Sequence, residues 1–194
     1  MKSHKLNNLN NFIGAWYLDD TSICDELIEF HKTTPKKREG YAGSSEGNVD
    51  TSIKESVDTL LYFANDNTIQ NYLAKLLMVT NEYKEKYKYC DAFAPWNIVE
   101  SPIIQYYPPM GGYKKWHTER GAKLEPIGSR HLSFMTYLND VTDEGETEFY
   151  YQQLKIKPEK GLTVIWGADW TFTHRGIPSP SQEKYIVTGW FNYI

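Results

Sequence analysis

The chain has 194 residues, which suits a single domain with a core large enough to hold a pocket. Its formal net charge of −4 and its pI of about 5.8 exclude a global basic surface of the kind that recruits nucleic acid or an anionic membrane. Two cysteines cannot make a disulfide framework, and no stretch has the apolar run of a signal peptide or a membrane span, so we expect a cytoplasmic protein.

Helical patterns dominate the chain as far as about residue 97. Asp19-Asp20-Thr21 can cap a first helix, whose predicted apolar face comprises Ile23, Leu27, Ile28 and His31. A longer helix is predicted from about Thr68 to about Lys88. Its predicted buried face comprises Ile69, Tyr72, Leu73, Leu76, Leu77 and Met78. Residues 32–56 are rich in Gly, Ser and charged residues, and they form a longer connection than two packed helices need. Two interpretations are open: a mobile functional lid, or an insert without function.

After residue 97 the pattern is that of short strands. β-Branched and aromatic runs follow one another in the order IVESPIIQYY, HLSFMTYL, TEFYYQQLKI, GLTVIW and KYIVTGWFNYI. Turn-forming segments such as PPMGG, NDVTDEG and PEKG separate them. We therefore predict an α+β fold in one domain over residues 1–194. Residues 98–194 form a distorted jelly-roll core, a double-stranded β-helix, and the N-terminal helices pack on one of its sheets.

Three side chains have the spacing of a metal site. His117 and Glu119 are separated by one residue, so on a strand both point to the same face. His174 follows Glu119 by 55 residues, behind the apolar run GLTVIW, and a rolled sheet can return it beside them. Two imidazoles and a carboxylate on one side of a metal make the facial triad of non-haem iron oxygenases, which leaves positions open for co-substrate and oxygen.

The motifs around these residues resemble, in order, those of the prolyl-4-hydroxylase-like family of 2-oxoglutarate- and Fe(II)-dependent dioxygenases. QYYPPMGGYKKWHTE is similar to the family's Tyr-Pro-Gly-rich approach to its first His, MTYLND to its Tyr-Leu-Asn strand end, and DEGETEF to its Gly-Gly-x-Thr-x-Phe turn and strand. A basic residue is expected about ten positions after the second His, where Lys184 stands, and Trp190 follows it by six. The resemblance covers about residues 103–194. One departure is plain, because the family normally has Asp at the position of Glu119.

The resemblance implies further site residues. Lys184 would pair with the distal carboxylate of 2-oxoglutarate, as a Lys inside the apolar run YIVTGW needs an anion unless it points outward. Tyr137 would donate its hydroxyl to the same carboxylate. Tyr107 would line the pocket, although a one-residue shift in register would put Tyr106 there instead. Thr188 and Trp190 share a strand face with Lys184 and would contribute a hydroxyl and a wall, or simply fill the barrel.

The other histidines and Arg175 are not expected to bind the metal. Arg175, next to His174, is expected at the surface, and His131 is expected to support the fold rather than bind metal. His4 lies in a polar tail and His31 at a helix end, so neither is an expected ligand.

The implied activity is hydroxylation of a C–H bond, with release of succinate and CO2. The cofactors are Fe(II), with 2-oxoglutarate and O2 as co-substrates and ascorbate as a possible reductant. A prolyl residue in a peptide or protein is the favoured substrate. A small molecule or free amino acid, oxidative demethylation of nucleic acid, and a non-catalytic binding module are the alternatives, in that order. No nucleic-acid or membrane partner is expected, and the oligomeric state is open.

Overall fold

The computed structural model describes residues 1–8, 11–42, 49–61 and 66–194. Two α-helices are present in these ranges, α1 (Ser22–Thr33) and α2 (Asn67–Lys86). The strands, in chain order, are β1 (Gly14–Tyr17), β2 (Arg38–Glu39), β3 (Lys54–Glu55), β4 (Val57–Leu60), β5 (Trp96–Asn97), β6 (Ile103–Tyr107), β7 (Gly112–Tyr113), β8 (Arg130–Tyr137), β9 (Thr147–Phe149), β10 (Leu154–Ile156), β11 (Leu162–Gly167), β12 (His174–Gly176) and β13 (Lys184–Tyr193). Short 3-10 turns lie at Lys5–Asn8, Lys88–Asp91, Ile127–Ser129 and Trp170–Phe172.

The strands form a large antiparallel sheet that faces smaller ones. The large sheet has the order β1-β11-β8-β13-β6-β4-β2, with β5 added beside β13. A second sheet has the order β10-β9-β12, and β3 pairs with β7. This is the jelly-roll architecture that the sequence predicts. Among the described helices, none combines the length and the apolar character that a bilayer span needs.

The alternation of side chains along each strand builds two cores. One face of the large sheet, with Ile104, Phe134 and Val187, packs against both helices. The other face, with Met135 and Ile186, closes against the smaller sheets. The helices therefore brace one side of the large sheet, as predicted, and leave its inner side for a cavity.

Both predicted helices are confirmed, but the buried face of α2 differs from the prediction. Asp66 caps α2 by accepting hydrogen bonds from the backbone N–H groups of Thr68 and Ile69, at 2.9 and 3.3 Å. The buried positions of α2 are Ile69, Tyr72, Leu76, Val79, Thr80 and Tyr83. Leu77 and Met78 are 59 % and 46 % exposed, because each successive residue turns about 100° around the helix axis from Leu76.

The N-terminal part contributes more β structure than the sequence pattern indicates. Five of the described strands, β1 to β5, precede residue 98, and β1, β2, β4 and β5 belong to the large sheet. These strands have only two to four residues each, too few to show a clear alternation. Two of them, β2 and β3, lie in the predicted 32–56 loop, whose residues 43–48 are outside the described ranges.

The run TEFYYQQLKI, predicted as one strand, is a hairpin. β9 ends at Phe149 and β10 begins at Leu154, with Gln153 in a left-handed conformation (φ 48°) in the turn between them.

Candidate metal centre and its cavity

The backbone brings the two histidines together directly. His117 and His174 form an isolated antiparallel bridge, in which each backbone N–H donates to the other carbonyl at 3.0 Å. His174 opens β12, whereas the segment around His117 and Glu119 has only this one bridge and is not the regular strand that the H-x-E spacing predicts. The predicted convergence nevertheless occurs, because the bridge fixes His117 opposite His174 and Glu119 follows on the same side.

The three side chains can all reach one ion. One ligand atom from each of His117, Glu119 and His174 lies within 4.8 Å of the others. Glu119 Oε1 is 3.3 Å from Nε2 of His174 and 3.7 Å from Nε2 of His117. Within the described part of the chain, this is the sole group of three or more His, Cys, Asp or Glu residues with such geometry.

Hydrogen bonds turn both imidazoles toward the centre. Nδ1 of His117 lies 2.9 Å from the carbonyl oxygen of Lys115, and Nδ1 of His174 lies 2.9 Å from that of Phe172. A carbonyl oxygen only accepts, so each Nδ1 carries the proton and donates it. With the proton on Nδ1, a neutral ring has its lone pair on Nε2, which is the tautomer that a metal-binding histidine needs.

Burial and mutual charge favour the protonation states of ligands. Desolvation, together with the neighbouring His174, lowers the pKa of His117, so its ring is readily neutral. Burial alone would raise the pKa of Glu119, but the two histidines beside it hold that pKa well below its ordinary value. Two imidazoles and an ionised carboxylate match the donor set of a facial triad and fit a divalent ion such as Fe(II).

The outer oxygen of Glu119 is held by Trp190, which is expected from the sequence only as a wall of the pocket, and Trp190 is supported by two residues that the sequence did not identify. Trp190 donates its indole N–H to Oε2 of Glu119 at 2.8 Å. Arg130 donates to the Glu119 backbone carbonyl at 2.9 Å and stacks on the Trp190 ring, with its guanidinium carbon 3.6 Å from the ring centroid. Glu100 in turn accepts two hydrogen bonds from Arg130, at 2.8 and 2.6 Å. This network, Glu100–Arg130–Trp190, fixes the longer carboxylate so that Oε1 faces the histidines.

The candidate metal centre opens into a cavity of about 990 Å³ between the sheets. Besides its three residues, four of the predicted site residues line this cavity, namely Tyr107, Lys184, Thr188 and Trp190. They come from β6 and β13, neighbouring strands in which Lys184 is paired with Tyr107. Tyr106 points to the opposite face and packs on Tyr185, so the predicted register, with Tyr107 inward, is the one observed.

Lys184 is a buried cation without an anion. It is 4 % exposed, donates to the carbonyl oxygen of Gly145 at 2.8 Å, and has no carboxylate within ion-pair distance in the described ranges. Burial lowers its pKa to about 8, partly opposed by Glu146. Gly145 has φ +83°, and a Cβ there would meet Val141 at 2.8 Å, so the turn that presents its carbonyl requires glycine.

One family model matches part of the chain. Residues 102–192 match the model of the 2OG-Fe(II) oxygenase superfamily. Over this range the chain is similar to that superfamily. The match spans just under half of the sequence and includes all three candidate metal ligands, Lys184 and Trp190. No curated protein matches the sequence.

The fold of the chain is that of prolyl hydroxylases of known structure. A viral collagen prolyl hydroxylase from Paramecium Bursaria Chlorella virus-1 is 21 % identical, with a TM-score of 0.69 over 94 % of this chain and 97 % of that one. A Pseudomonas putida prolyl-4-hydroxylase is 16 % identical, with a TM-score of 0.72 over 94 % of each chain. A Trichoplax adhaerens prolyl hydroxylase in complex with a hypoxia inducible factor peptide fragment is 14 % identical, with a TM-score of 0.75 over 97 % of this chain and 86 % of that one. The predicted double-stranded β-helix is therefore confirmed.

Tyr137 is placed differently from the prediction. It is fully buried beneath the cavity and is not among the residues that line it. Its hydroxyl donates to Thr147 Oγ1 at 2.7 Å and approaches the Ile156 carbonyl oxygen at 3.2 Å. Thr147 itself lines the cavity, and its own hydroxyl has only the weak acceptor Met135 Sδ at 3.9 Å. The hydroxyl available at this wall is thus that of Thr147, oriented by Tyr137.

The remaining candidate residues from the sequence analysis each have a hydrogen-bond or ion-pair partner within the protein. Thr188 donates to the Phe134 carbonyl oxygen at 3.1 Å, and Tyr107 donates to Gln105 Oε1 at 2.7 Å. Arg175 points away from the metal centre and pairs with Glu148 at 2.8 Å. His131 lies 2.8 Å from the Cys90 carbonyl oxygen, outside the metal cluster, in keeping with a structural role.

Proposed function

We propose that this chain is a 2OG-Fe(II) oxygenase that hydroxylates a C–H bond of a prolyl residue in a peptide or protein, at a centre formed by His117, Glu119 and His174. The observation that carries the proposal is that this centre and the unpaired ammonium of Lys184 line one cavity. Such a cavity offers a cation site and an anion site to the same small molecule. When bound, Fe(II) and 2-oxoglutarate supply the oxidising chemistry with O2, and succinate and CO2 leave as the other products.

The protein's own contribution at the metal end is orientation. His117 and His174 would present Nε2 lone pairs that the carbonyls of Lys115 and Phe172 hold in place. Glu119 would present Oε1 while Trp190 retains Oε2. The extra methylene of Glu relative to Asp is accommodated by that second anchor, which keeps the carboxylate from turning away.

At the other end, Lys184 would bind the distal carboxylate of 2-oxoglutarate. A buried ammonium with carbonyl partners only is stabilised strongly when an anion arrives, because the charge pair forms away from water. Thr147 is free to donate its hydroxyl toward the same anion, and Tyr137 orients it. Tyr107 and Thr188 would complete the wall, with hydroxyls already bound to Gln105 and the Phe134 backbone.

A peptidyl proline is favoured over the other substrates. The volume of about 990 Å³ is at the upper end for a pocket that holds a small molecule, which leaves room for part of a chain beside the co-substrate. The fold is that of prolyl hydroxylases, one of them solved with a peptide fragment. The net charge of −4 disfavours nucleic acid, because phosphate binding needs clustered cations. A free amino acid or other small molecule is the second candidate.

The test is a screen of proline-containing peptides with the full chain, Fe(II), 2-oxoglutarate, O2 and ascorbate. We expect a mass gain of one oxygen on the peptide and an equal amount of succinate. Succinate release without any peptide would support the chemistry and point to a small-molecule substrate. Binding is measured by calorimetry, with Mn(II) in place of Fe(II). If neither the metal nor 2-oxoglutarate binds, the proposal of an enzyme is wrong and a non-catalytic binding module is the alternative.

A further inference from the structure

Among the described residues, a second cation lines the cavity without an ion-pair partner. Arg38 on β2 is one of the lining residues, and its buried Nε has no hydrogen-bond partner in the part of the chain that the structure describes. Within the described ranges its guanidinium has one recorded contact, the ring of Tyr41, whose centroid is 4.9 Å from the guanidinium carbon. A guanidinium that is stacked on an aromatic ring and keeps its N–H donors open is arranged to bind a planar anion.

The nearest acid does not neutralise Arg38. Asp58 is paired with Arg38 across β2 and β4, but both of its carboxylate oxygens are engaged. Oδ2 accepts from Lys54 Nζ at 2.8 Å and Oδ1 accepts from Ser56 Oγ at 2.7 Å. Lys54 and Asp58 are both buried and cancel each other's charge. One positive charge, that of Arg38, is therefore left facing the cavity.

The strand register gives the position of Arg38 relative to β13, the strand that carries Lys184. Arg38, Asp58, Gln105 and Ile186 form one cross-strand row over β2, β4, β6 and β13, and all four line the cavity. Neighbouring strands are about 4.8 Å apart, so the backbone of Arg38 lies roughly 14 Å from β13. The two cations thus extend into the cavity from strands that two other strands separate.

We propose that Arg38 binds a carboxylate of the primary substrate, an Asp or Glu side chain a few residues from the hydroxylated position. This inference rests on the proposed function. An extended peptide advances about 3.3 Å per residue, so a peptide that crosses the cavity over the roughly 14 Å between β13 and β2 spans about four residues. Arg38 thus selects acidic peptides, while Lys184 is reserved for the co-substrate.

The experiment compares peptides that carry Glu or Gln at each of the second to fifth positions on either side of a proline. Binding to the full chain is measured by fluorescence anisotropy, which does not depend on turnover, and hydroxylation is measured in parallel as kcat/KM. At the best position we expect the Glu peptide to bind about tenfold or more tightly than its Gln partner, the size of a charge-assisted pair. Arg38→Gln should abolish that preference, and Arg38→Glu should reverse it in favour of a Lys peptide.

Lys36→Gln is the matched control, because Lys36 is an exposed cation two residues away and does not line the cavity. It should leave the preference unchanged. Persistence of the Glu preference in Arg38→Gln would overturn the inference, as would a raised KM for 2-oxoglutarate as the sole effect of that change. Displacement of the Glu peptide by free glutamate at equal concentration would overturn the assignment to a peptide. If the wild-type chain binds neither Mn(II) nor 2-oxoglutarate, the proposed function fails, and anisotropy still reads the role of Arg38 separately.

Discussion

At the metal end of the cavity both carboxylate oxygens of Glu119 have partners within the protein, whereas at the anion end Lys184 meets only backbone carbonyls. The metal end is built in advance, with its ring tautomers and its carboxylate rotamer fixed before any ion arrives. The anion end holds an uncompensated charge that a ligand must complete. Loss of a group should therefore have different effects at the two ends: lower metal affinity at the metal end, and lower co-substrate affinity with higher stability of the ligand-free protein at the anion end.

His174→Ala should have the largest effect. It removes a ligand and the ring that packs on Phe149 and Trp166, and we expect Mn(II) affinity to fall more than about a hundredfold with loss of turnover. Calorimetry and succinate release measure the two effects. His131→Ala, which removes a histidine outside the cluster, is the control and should retain both. Hydroxylation that survives in His174→Ala would contradict the triad.

Lys184→Met should affect 2-oxoglutarate binding at the anion end without affecting metal binding at the metal end. The KM for 2-oxoglutarate should rise about a hundredfold while Mn(II) affinity stays the same, because the charge lies at the anion end only. The free energy of unfolding of the ligand-free protein should rise, since an unpaired buried charge is replaced by an apolar chain. Lower stability together with unchanged 2-oxoglutarate affinity would show that Lys184 is structural.

The pH dependence should follow the pKa of Lys184, which burial lowers to about 8 from 10.5. Below about pH 8 Lys184 is protonated in both the folded and the unfolded chain. Burial of its charge then lowers the free energy of unfolding by its full amount. Between pH 8 and 10.5 only the unfolded chain is protonated, so stability relative to Lys184→Met should rise with pH, by about 3 kcal/mol in all. Affinity for 2-oxoglutarate should fall over the same range. Lys184→Arg stays charged, and an equal fall in that variant would exclude Lys184 as the titrating group.

Trp190→Phe tests the anchor on Glu119. Loss of the indole N–H should weaken Mn(II) binding about tenfold and leave 2-oxoglutarate binding to the metal-loaded protein less affected. The loss should be smaller in a Glu119→Asp background, where the shorter carboxylate no longer spans both partners. Trp170→Phe, at a position 64 % exposed, is the control. Equal losses in both backgrounds would mean that Trp190 acts only by packing.

Tyr137→Phe should have the smallest effect. Its hydroxyl orients Thr147 rather than lining the cavity, so we expect the KM for 2-oxoglutarate to rise only a few-fold, with Thr147→Val at least as severe. A much larger effect of Tyr137→Phe than of Thr147→Val would indicate that Tyr137 contacts the co-substrate directly.

The sequence predicts the metal trio and Lys184 because their order and spacing are local to motifs around each residue. It does not predict Arg130 and Glu100, whose roles arise only when β8 and the segment before β6 meet at Trp190. It places Tyr137 on the correct inner face but cannot show that Thr147 of β9 lies between it and the cavity. Arg38 lies in a segment whose composition indicates a loop, and its two-residue strand is visible only through pairing with β4.

The position of β13 has a consequence for synthesis of the protein. This strand, Lys184–Tyr193, lies between β8 and β6 and so joins the two halves of the large sheet. Until β13 has been synthesised, the nascent chain lacks the central strand of the large sheet. β1 likewise cannot pair until its partner β11 has been synthesised. We expect the sheet to close only after residue 193 has left the ribosome, with the helices exposed until then. Because the same strand carries Lys184 and Trp190, the fold and the anion end of the cavity are completed in one event.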